Sequence, residues 1–199
     1  FNPPLGVLSL AGYLETNSAH EVEVIDAQPP GWSYGELKTE LAKRSFDVCG
    51  ITAMTFTLID VVLTCRAVRE VAPRAKIVLG GPHVHLFPDE TIRLPEVDFL
   101  MQGEGEIAFK ALLDALAEPA LWAEVPGLVY QDGAGKTVNN GIAPSTEDLD
   151  SLGFPARHLL DVSMYTSLLG RDNTITTMFT SRGCPFNCEF CDIIVTYGR

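Results

Sequence analysis

Basic side chains are scarce in this sequence, where 14 lysines and arginines stand against 26 aspartates and glutamates, a formal net charge of −12. A protein that holds a nucleic-acid backbone needs clustered lysine and arginine, so this balance argues against a nucleic-acid partner. Long apolar runs are lacking too, since none approaches the ~20 residues of a membrane span and no secretory signal opens the sequence. We therefore expect an acidic, cytoplasmic protein without a membrane span.

Cysteine is equally scarce, with five residues in all, yet Cys184, Cys188 and Cys191 stand together in the segment SRGCPFNCEFCD. Disulfide pairing would leave one of the three thiols over, and no secretory signal supports it. Thiolates are soft ligands that suit zinc or an iron–sulfur cluster. A zinc site needs a fourth protein ligand, for which His158 is the plausible helper. The C-x3-C-x2-C spacing thus predicts a metal centre, with three unliganded buried cysteines as the alternative.

Alternating apolar patterns indicate the fold class. Helices are predicted over 5–17, 34–45, 57–72 and 106–118, and strands over 21–27, 47–55, 76–81 and 97–106. Strands and helices that alternate at short spacing predict an α/β, doubly wound parallel sheet of the Rossmann-like type. Cys49 and Cys65 fall in a buried strand and on an apolar helix stripe, so we expect both to pack in the core.

The pattern changes after Pro119. Residues 126–140 predict a β-hairpin with DGAG at its turn, and 141–173 predict a linker. Residues 174–184 predict a new strand, the first of a second domain. The expected organisation is therefore a first domain over 1–140, a linker over 141–173 and the start of a second domain over 174–199.

Several motifs in order resemble the cobalamin-binding radical S-adenosylmethionine (SAM) enzymes: NPPLGVLSLAGYLE, GITAMTFT, GGPHVHLFPDE, QGEGE and SRGCPFNCEFCDI. The stretch CEFCDIIVTYGR resembles the hopanoid-methylase subgroup. This resemblance implies a flavodoxin-type B12-binding domain, followed by the start of a radical SAM β/α (TIM-like) barrel. By this resemblance, the sequence would start after the position of the first, central strand and would stop in the first βα loop of the barrel. We therefore expect this stretch, expressed alone, to be unstable and inactive.

The resemblance also implies three cofactors. Cys184, Cys188 and Cys191 would bind three irons of a 4Fe–4S cluster, SAM would chelate the fourth iron, and Phe190 would lie against the adenine. Arg182 would offset the negative charge of the cluster, or is an ordinary surface charge. Cobalamin would lie across the carboxyl ends of the strands, where open parallel sheets bind ligands. The expected contacts are small and polar loop residues: Thr52, Ala53, Thr55, Gly80, Gly81, His83, Gly103, Glu104 and Gly105.

Some features leave alternatives open at this edge. Glu104 and Glu106 would bind a corrin amide, or merely occupy a helix N-terminus, where carboxylates are favoured. Nucleotides and flavins bind similar loops, although QGEGE is not a G-x-G-x-x-G dinucleotide fingerprint in the right place. The D-x-H-x-x-G motif of many cobalamin domains is missing, and neither His83 nor His85 is assigned as a cobalt ligand.

The implied activity is methyl transfer to an unactivated carbon through a 5′-deoxyadenosyl radical. A ring-forming or rearranging radical SAM enzyme is the alternative within the same chemistry. A non-catalytic cobalamin-type binding module with a structural metal at 184–191 is the alternative from another class. The expected partners are a small-molecule substrate, such as a lipid or natural product, and a reductant such as flavodoxin or ferredoxin.

Overall fold

The computed structural model describes residues 2–167, 170–174, 176–186, 188–191 and 193. The helices are α1 (Leu5–Asn17), α2 (Tyr34–Leu41), α3 (Leu58–Val71), α4 (Pro82–Leu86), α5 (Pro88–Thr91) and α6 (Gly105–Ala115). The strands are β1 (Val48–Thr52), β2 (Lys76–Gly80), β3 (Phe99–Met101), β4 (Leu128–Gln131), β5 (Thr137–Asn139), β6 (Thr166–Ser167) and β7 (Gly170–Thr174). No helix in these described ranges has the length and apolar character needed to cross a membrane.

Strands β1 to β5 form one sheet in that spatial order. Strands β1, β2 and β3 are parallel, with Ile51 opposite Leu79 and Leu79 opposite Leu100. The predicted hairpin forms as β4 and β5, and β4 joins the sheet antiparallel to β3. The α/β class is confirmed, and the sheet is mixed because the hairpin extends the parallel part.

Helices cover both faces of the sheet, so the doubly wound arrangement is confirmed. On β2, Ile77 and Leu79 belong to one apolar core and Val78 to the other, as expected when successive side chains point to opposite faces. The first core is completed mainly by α2 and α3, with Leu37, Leu41, Val61, Cys65 and Val68. The second is completed mainly by α1 and α6, with Leu14, Ala108, Phe109, Leu112 and Ala115.

Asp98 fixes the start of β3 against β2. Its Oδ2 accepts a hydrogen bond from the Ile77 amide at 2.8 Å and pairs with Arg69, while its Oδ1 lies 3.0 Å from Lys76 Nζ. Burial alone would raise the pKa of the Asp98 carboxyl, but the Ile77 amide, Arg69 and Lys76 together hold it below its usual value. The pairing of β2 with β3 is therefore stabilised by the ion pairs of Asp98 as well as by the backbone hydrogen bonds between the strands.

Two predicted strands are wrong. Residues 21–27 form no strand, because no described strand lies beside them; Val24 is buried instead in a small core with Leu8 and Ala11 of α1. The strand predicted over 174–184 is also wrong, since β7 ends at Thr174 and no strand covers 176–184. Side-chain contacts replace a ladder there, with Arg157 Nε at 2.9 Å from the Thr176 hydroxyl.

The remaining differences concern the ends of helices and strands and the proposed domains. The strands predicted over 47–55 and 97–106 are shorter, Val48–Thr52 and Phe99–Met101, and helix α6 already begins at Gly105. The helix predicted over 34–45 ends earlier, at Leu41, where the last carbonyls accept bonds from the Ala42 amide and the following turn. The predicted linker is not featureless, because it contains the β6–β7 hairpin. The division at 140 and 173 stays a prediction, and residues 175, 187, 192 and 194–199 of the expected barrel start lie outside the described residues.

Candidate cofactor site at the carboxyl edge of the sheet

The loops after β1 and β2 are bonded to each other. The Ala53 amide donates to the Gly80 carbonyl at 2.8 Å, and the His83 amide donates to the Ala53 carbonyl at 3.0 Å. Gly81 has φ +92°, and a Cβ there would lie 2.9 Å from the Ala53 carbonyl oxygen and from Thr52 Oγ1. The structure thus brings together five of the predicted contacts, Thr52, Ala53, Gly80, Gly81 and His83. The close approach that requires glycine at position 81 is made by residues 52 and 53 of the protein itself.

His83 lines a small pocket beside these loops. Its side chain is buried, its Nδ1 lies 3.1 Å from Thr55 Oγ1, and its ring centroid lies 5.3 Å from that of Phe87. Burial lowers the pKa of the imidazole, and the Glu90 carboxylate opposes this only in part, so the neutral ring is favoured. The pocket, of about 320 Å³, is lined by Thr55, Leu58, His83, Phe87, Glu90, Thr91 and Leu94.

The loop after β3 is held by a residue that the sequence reasoning missed. The buried Gln102 side chain donates to the carbonyls of Val84 and His85 at 3.3 Å each, and its backbone amide donates to the Gly127 carbonyl at 2.8 Å. Its position directly after a buried strand was the available signal. The bonds tie helix α4 and the hairpin to the end of β3.

Gly103 makes a second close backbone approach. It has φ +88°, it forms an isolated bridge with Ala143, and a Cβ there would lie 2.6 Å from the Ala143 carbonyl oxygen. Only glycine fits this combination of conformation and contact. Contact of Gly103 with a cofactor stays a prediction, and the approach to Ala143 alone already explains why glycine stands at this position.

Arg182 is paired with two carboxylates at the start of α6. Its Nη2 lies 2.5 Å from Glu106 Oε1, and its Nη1 lies 3.2 Å from Glu104 Oε2. The side chain of Arg182 is 15% exposed, and those of Glu104 and Glu106 are 7% and 6% exposed. The interpretation of Arg182 as an ordinary surface charge is therefore wrong. Glu104 and Glu106 do lie at the N-terminus of α6, where they also form ion pairs, and their contact with a corrin amide stays a prediction.

The charges of this cluster are not fully balanced. Burial alone would lower the pKa of the Arg182 guanidinium, but Glu106 and Glu104 outweigh it and the pKa lies above its usual value. Glu104 Oε2 also accepts the Thr146 amide at 2.8 Å, whereas its buried Oε1 has no hydrogen-bond partner in the described part of the chain. Two carboxylates thus share one guanidinium, and the positive end of the α6 dipole offsets part of the excess.

The cysteine loop lies open to solvent. Cys188 is exposed, Cys184 and Cys191 are half-buried, and the Cys191 amide donates to the Cys188 carbonyl at 3.1 Å. Phe190 is 94% exposed. No three metal-ligating side chains within the described ranges are already gathered around one point. The donor set of three thiols on one loop nevertheless fits an iron–sulfur cluster, because soft thiolates are its usual ligands.

The other histidine and cysteines considered from the sequence have structural partners. His158 Nε2 lies 3.1 Å from Glu15 Oε1 of α1. Within the described residues it forms no cluster with the thiols, as a fourth zinc ligand would. Cys65 is 1% exposed, and burial raises the pKa of its thiol to about 12 and that of the Cys49 thiol to about 11. Both cysteines pack against the α2–α3 core, as predicted.

A sheet covered by helices on both faces, with glycine-bearing loops at its carboxyl edge, is an α/β architecture that binds ligands at that edge in many proteins. Residues 1–113 match the model of the B12 binding domain family. The chain therefore belongs to the B12-binding-domain family, as the order of its motifs predicts.

Curated relatives support this assignment. The uncharacterized methyltransferase PH0819 of Pyrococcus horikoshii is 32% identical over 199 residues, 99% of this chain and 42% of the relative. The anaerobic magnesium-protoporphyrin IX monomethyl ester cyclase of Cereibacter sphaeroides is 32% identical over 195 residues, 95% of this chain and 31% of that protein. The hopanoid C-3 methylase of Methylococcus capsulatus is 28% identical over 98% of this chain and 37% of that protein, which confirms the resemblance to its subgroup.

A solved structure supports the fold. The radical SAM methyltransferase TsrM of Kitasatospora setae, with cobalamin and a 4Fe–4S cluster bound, superposes with a TM-score of 0.70 at 20% identity, over 100% of this chain and 41% of TsrM. The chain thus spans less than half the length of these relatives and of this structural neighbour.

Proposed function

We propose that this chain is the cobalamin-binding part, with the cluster-binding loop, of a cobalamin-dependent radical SAM methyltransferase that acts on an unactivated carbon. The observation that carries the proposal is a B12-binding-domain match over 1–113 followed by a three-cysteine loop that Arg182 docks on the same carboxyl edge. The names of PH0819 and of the hopanoid methylase favour methyl transfer. The domain division at 140 and 173 is part of this proposal.

Cobalamin would lie over the loops after β1, β2 and β3. The pocket beside His83, about 320 Å³, is at the lower end of small-molecule sites, so it would take one portion of the cofactor while the corrin covers the edge outside it. The Thr55 hydroxyl and the neutral His83 ring offer hydrogen-bonding groups at its wall. The other predicted contacts, Thr52, Ala53, Gly80, Gly81, Gly103, Glu104 and Gly105, form or support the rim.

Cys184, Cys188 and Cys191 would hold the 4Fe–4S cluster, with SAM on the fourth iron. When bound, these groups supply one-electron cleavage of SAM and the methyl group for transfer. The three thiols would bind the irons as thiolates, and the exposed Phe190 ring would cover an adenine face. We also propose a reducing cytoplasm as the setting, with a reductant such as flavodoxin or ferredoxin and a small-molecule substrate, because an accessible cluster is destroyed by oxygen.

Anaerobic reconstitution of the full-length protein with iron and sulfide, followed by cofactor extraction, tests this function. We expect a brown protein with four irons, bound cobalamin identified by mass analysis, and release of 5′-deoxyadenosine once SAM and a one-electron reductant are added. The Cys184→Ala variant should lose the chromophore, and Cys65→Ala should keep it, because Cys65 lies in the core. Colourless wild-type protein that holds one zinc would instead support a non-catalytic binding module with a structural metal.

A cyclase is the second candidate, because the Cereibacter relative named as a cyclase is 32% identical to this chain. Methyl-labelled SAM distinguishes the two reactions. Label that enters a small-molecule product supports methyl transfer. Release of 5′-deoxyadenosine with unlabelled product supports ring formation or rearrangement.

A further inference from the structure

Arg182 links two parts of the chain that lie far apart in sequence. It comes two residues before the first cysteine of the loop, and Glu106 is separated from it by 76 positions. Glu106 lies in the first turn of α6, directly after the glycine turn that follows β3. The guanidinium therefore joins the start of the cysteine loop to the carboxyl edge of the sheet.

The geometry of the contact suits arginine in particular. Nη2 and Nη1 reach the two oxygens of Glu106 at 2.5 and 3.4 Å, while Nη1 also reaches Glu104 Oε2 at 3.2 Å. A planar guanidinium presents several donors in a fixed fork, whereas an ammonium is a point charge. The fork thus constrains the orientation of Arg182 as well as its distance from the helix.

Burial distinguishes this contact from the ion pairs on the surface. The Arg182 side chain is 15% exposed and its two partners less than 10%, whereas the Arg66 side chain, paired with Glu96, is 58% exposed. Glu104 is itself tied to the linker by the Thr146 amide. Because an exposed pair is worth little and a buried one is costly to break, Arg182 holds its segment far more firmly than Arg66 holds its own.

We propose that Arg182 is a positioning residue that sets the placement of the three-cysteine loop relative to the carboxyl edge of the sheet. The proposal rests on the proposed function, in which that loop and that edge hold two cofactors that serve one substrate. A displacement of about 1 Å between reacting groups can cost ~10²-fold in rate.

Hydrogen exchange of the cofactor-free, full-length protein tests the placement directly. Arg182→Gln should speed amide exchange in 176–186 and at the start of α6 by about tenfold or more, since a charged hydrogen bond is lost. Arg182→Lys should lie between wild type and Arg182→Gln, because it keeps the charge and loses the fork. Arg66→Gln is the matched control, in which these segments should exchange as in wild type.

Coupling between the partners gives a second test. Glu106→Gln keeps the shape of the side chain and removes its charge, so it should raise exchange in the same two segments. The Arg182→Gln/Glu106→Gln double variant should exchange no faster than the faster single variant, because both changes break one contact. Independent, multiplying effects would overturn the proposal, and so would an unchanged exchange pattern in Arg182→Gln. If Arg182→Gln does not fold, Arg182→Lys and Glu106→Gln carry the same comparison.

A spectroscopic signature separates positioning from a merely structural role. After loading, the reduced cluster should speed the spin relaxation of cob(II)alamin, an effect that weakens steeply with distance. Arg182→Gln should bind iron and cobalamin in wild-type amounts and lose most of this enhancement, whereas Arg66→Gln should keep it. An unchanged enhancement would overturn the positioning role. A wild type that binds no cluster or cobalamin would refute the proposed function instead, while the exchange result would still report on the Arg182 contact.

Discussion

The Nδ1 atom of His83 lies 3.1 Å from the Thr55 hydroxyl, so one side-chain contact joins the loop after β1 to helix α4 after β2. Thr55→Val keeps the shape of the side chain and removes this partner. We expect the full-length protein to lose about 1 kcal/mol of unfolding free energy in urea, the usual contribution of one hydrogen bond. An unchanged stability would show that the contact contributes nothing at this edge.

The same histidine gives the protein a pH dependence. Because burial lowers its pKa in the folded state, the unfolded chain takes up a proton near 6.5 while the folded protein does so only at lower pH. Stability from the neutral ring is therefore present above about pH 6.5 and is lost as the pH falls below it. The unfolding free energy, measured in urea across this pH range, should change less with pH in His83→Gln than in wild type. Thr55→Val keeps the imidazole ring and should retain the pH dependence of the wild type.

The close approach of Gly103 to Ala143 predicts a position-specific cost. Gly103→Ala places a Cβ 2.6 Å from a carbonyl oxygen at φ +88°, so it adds strain to overpacking and should cost about 2–4 kcal/mol. Gly135→Ala is the matched control, since Gly135 has φ +76° and open space around it. It carries the backbone strain alone, about 1–2 kcal/mol. Equal losses of unfolding free energy would show that the contact with Ala143 is easily relieved.

The five cysteines should divide into two classes on alkylation. In reduced, cluster-free protein at about pH 8, the thiols at 184, 188 and 191 are accessible and should react first. Burial raises the pKa of Cys65 from 9.0 to about 12, which lowers its thiolate fraction by about 10³-fold, and its side chain is 1% exposed. Peptide mass mapping over time should therefore find Cys65 unmodified until urea unfolds the protein. Early labelling of Cys65 would contradict the core packing.

The Asp98 network predicts a loss of stability far from the cofactor edge. Asp98→Asn removes the charge that pairs with Arg69 and Lys76 and should cost about 2–3 kcal/mol in urea unfolding. Glu70→Gln, which breaks an exposed pair with Lys38, is the control and should cost less than ~1 kcal/mol.

The pH dependence gives a further check on Asp98. Its pKa is lowered in the folded state, so its contribution is present above about pH 4 and is lost as the pH falls through the folded value. The variant Asp98→Asn should lack that part of the acid sensitivity. Equal acid sensitivity of wild type and variant would mean that Asp98 is not held as an anion.

The sequence predicted those elements whose own pattern decides their structure. The run 76–80 became the middle strand of the parallel part because it is covered on both faces, and Leu5–Asn17 became a helix with the predicted bounds. The segment 21–27 has the same alternation as a strand, but a strand also needs a neighbour, which a single stretch of sequence does not reveal. The antiparallel attachment of the hairpin was unpredicted for the same reason.

The site was predicted where glycines and cysteines mark it, and missed where it depends on distant partners. The glycines at 81 and 103 stand at their predicted loops, although their contacts are to backbone. The sequence around Arg182 does not predict its ion pairs with Glu104 and Glu106, because these pairs depend on the path of the chain from 107 to 181. Gln102 was passed over because one amide side chain carries no periodic signal.

Gln102 connects several loops of this edge by hydrogen bonds. Its side chain bonds the carbonyls of Val84 and His85, and its backbone bonds the hairpin through Gly127 and the linker through Ala143. Helix α4, the end of β3, the start of the hairpin and residue 143 therefore share the hydrogen bonds of a single buried residue. A substitution at Gln102 would disturb anchors of three loops of this edge at once, two positions before Glu104.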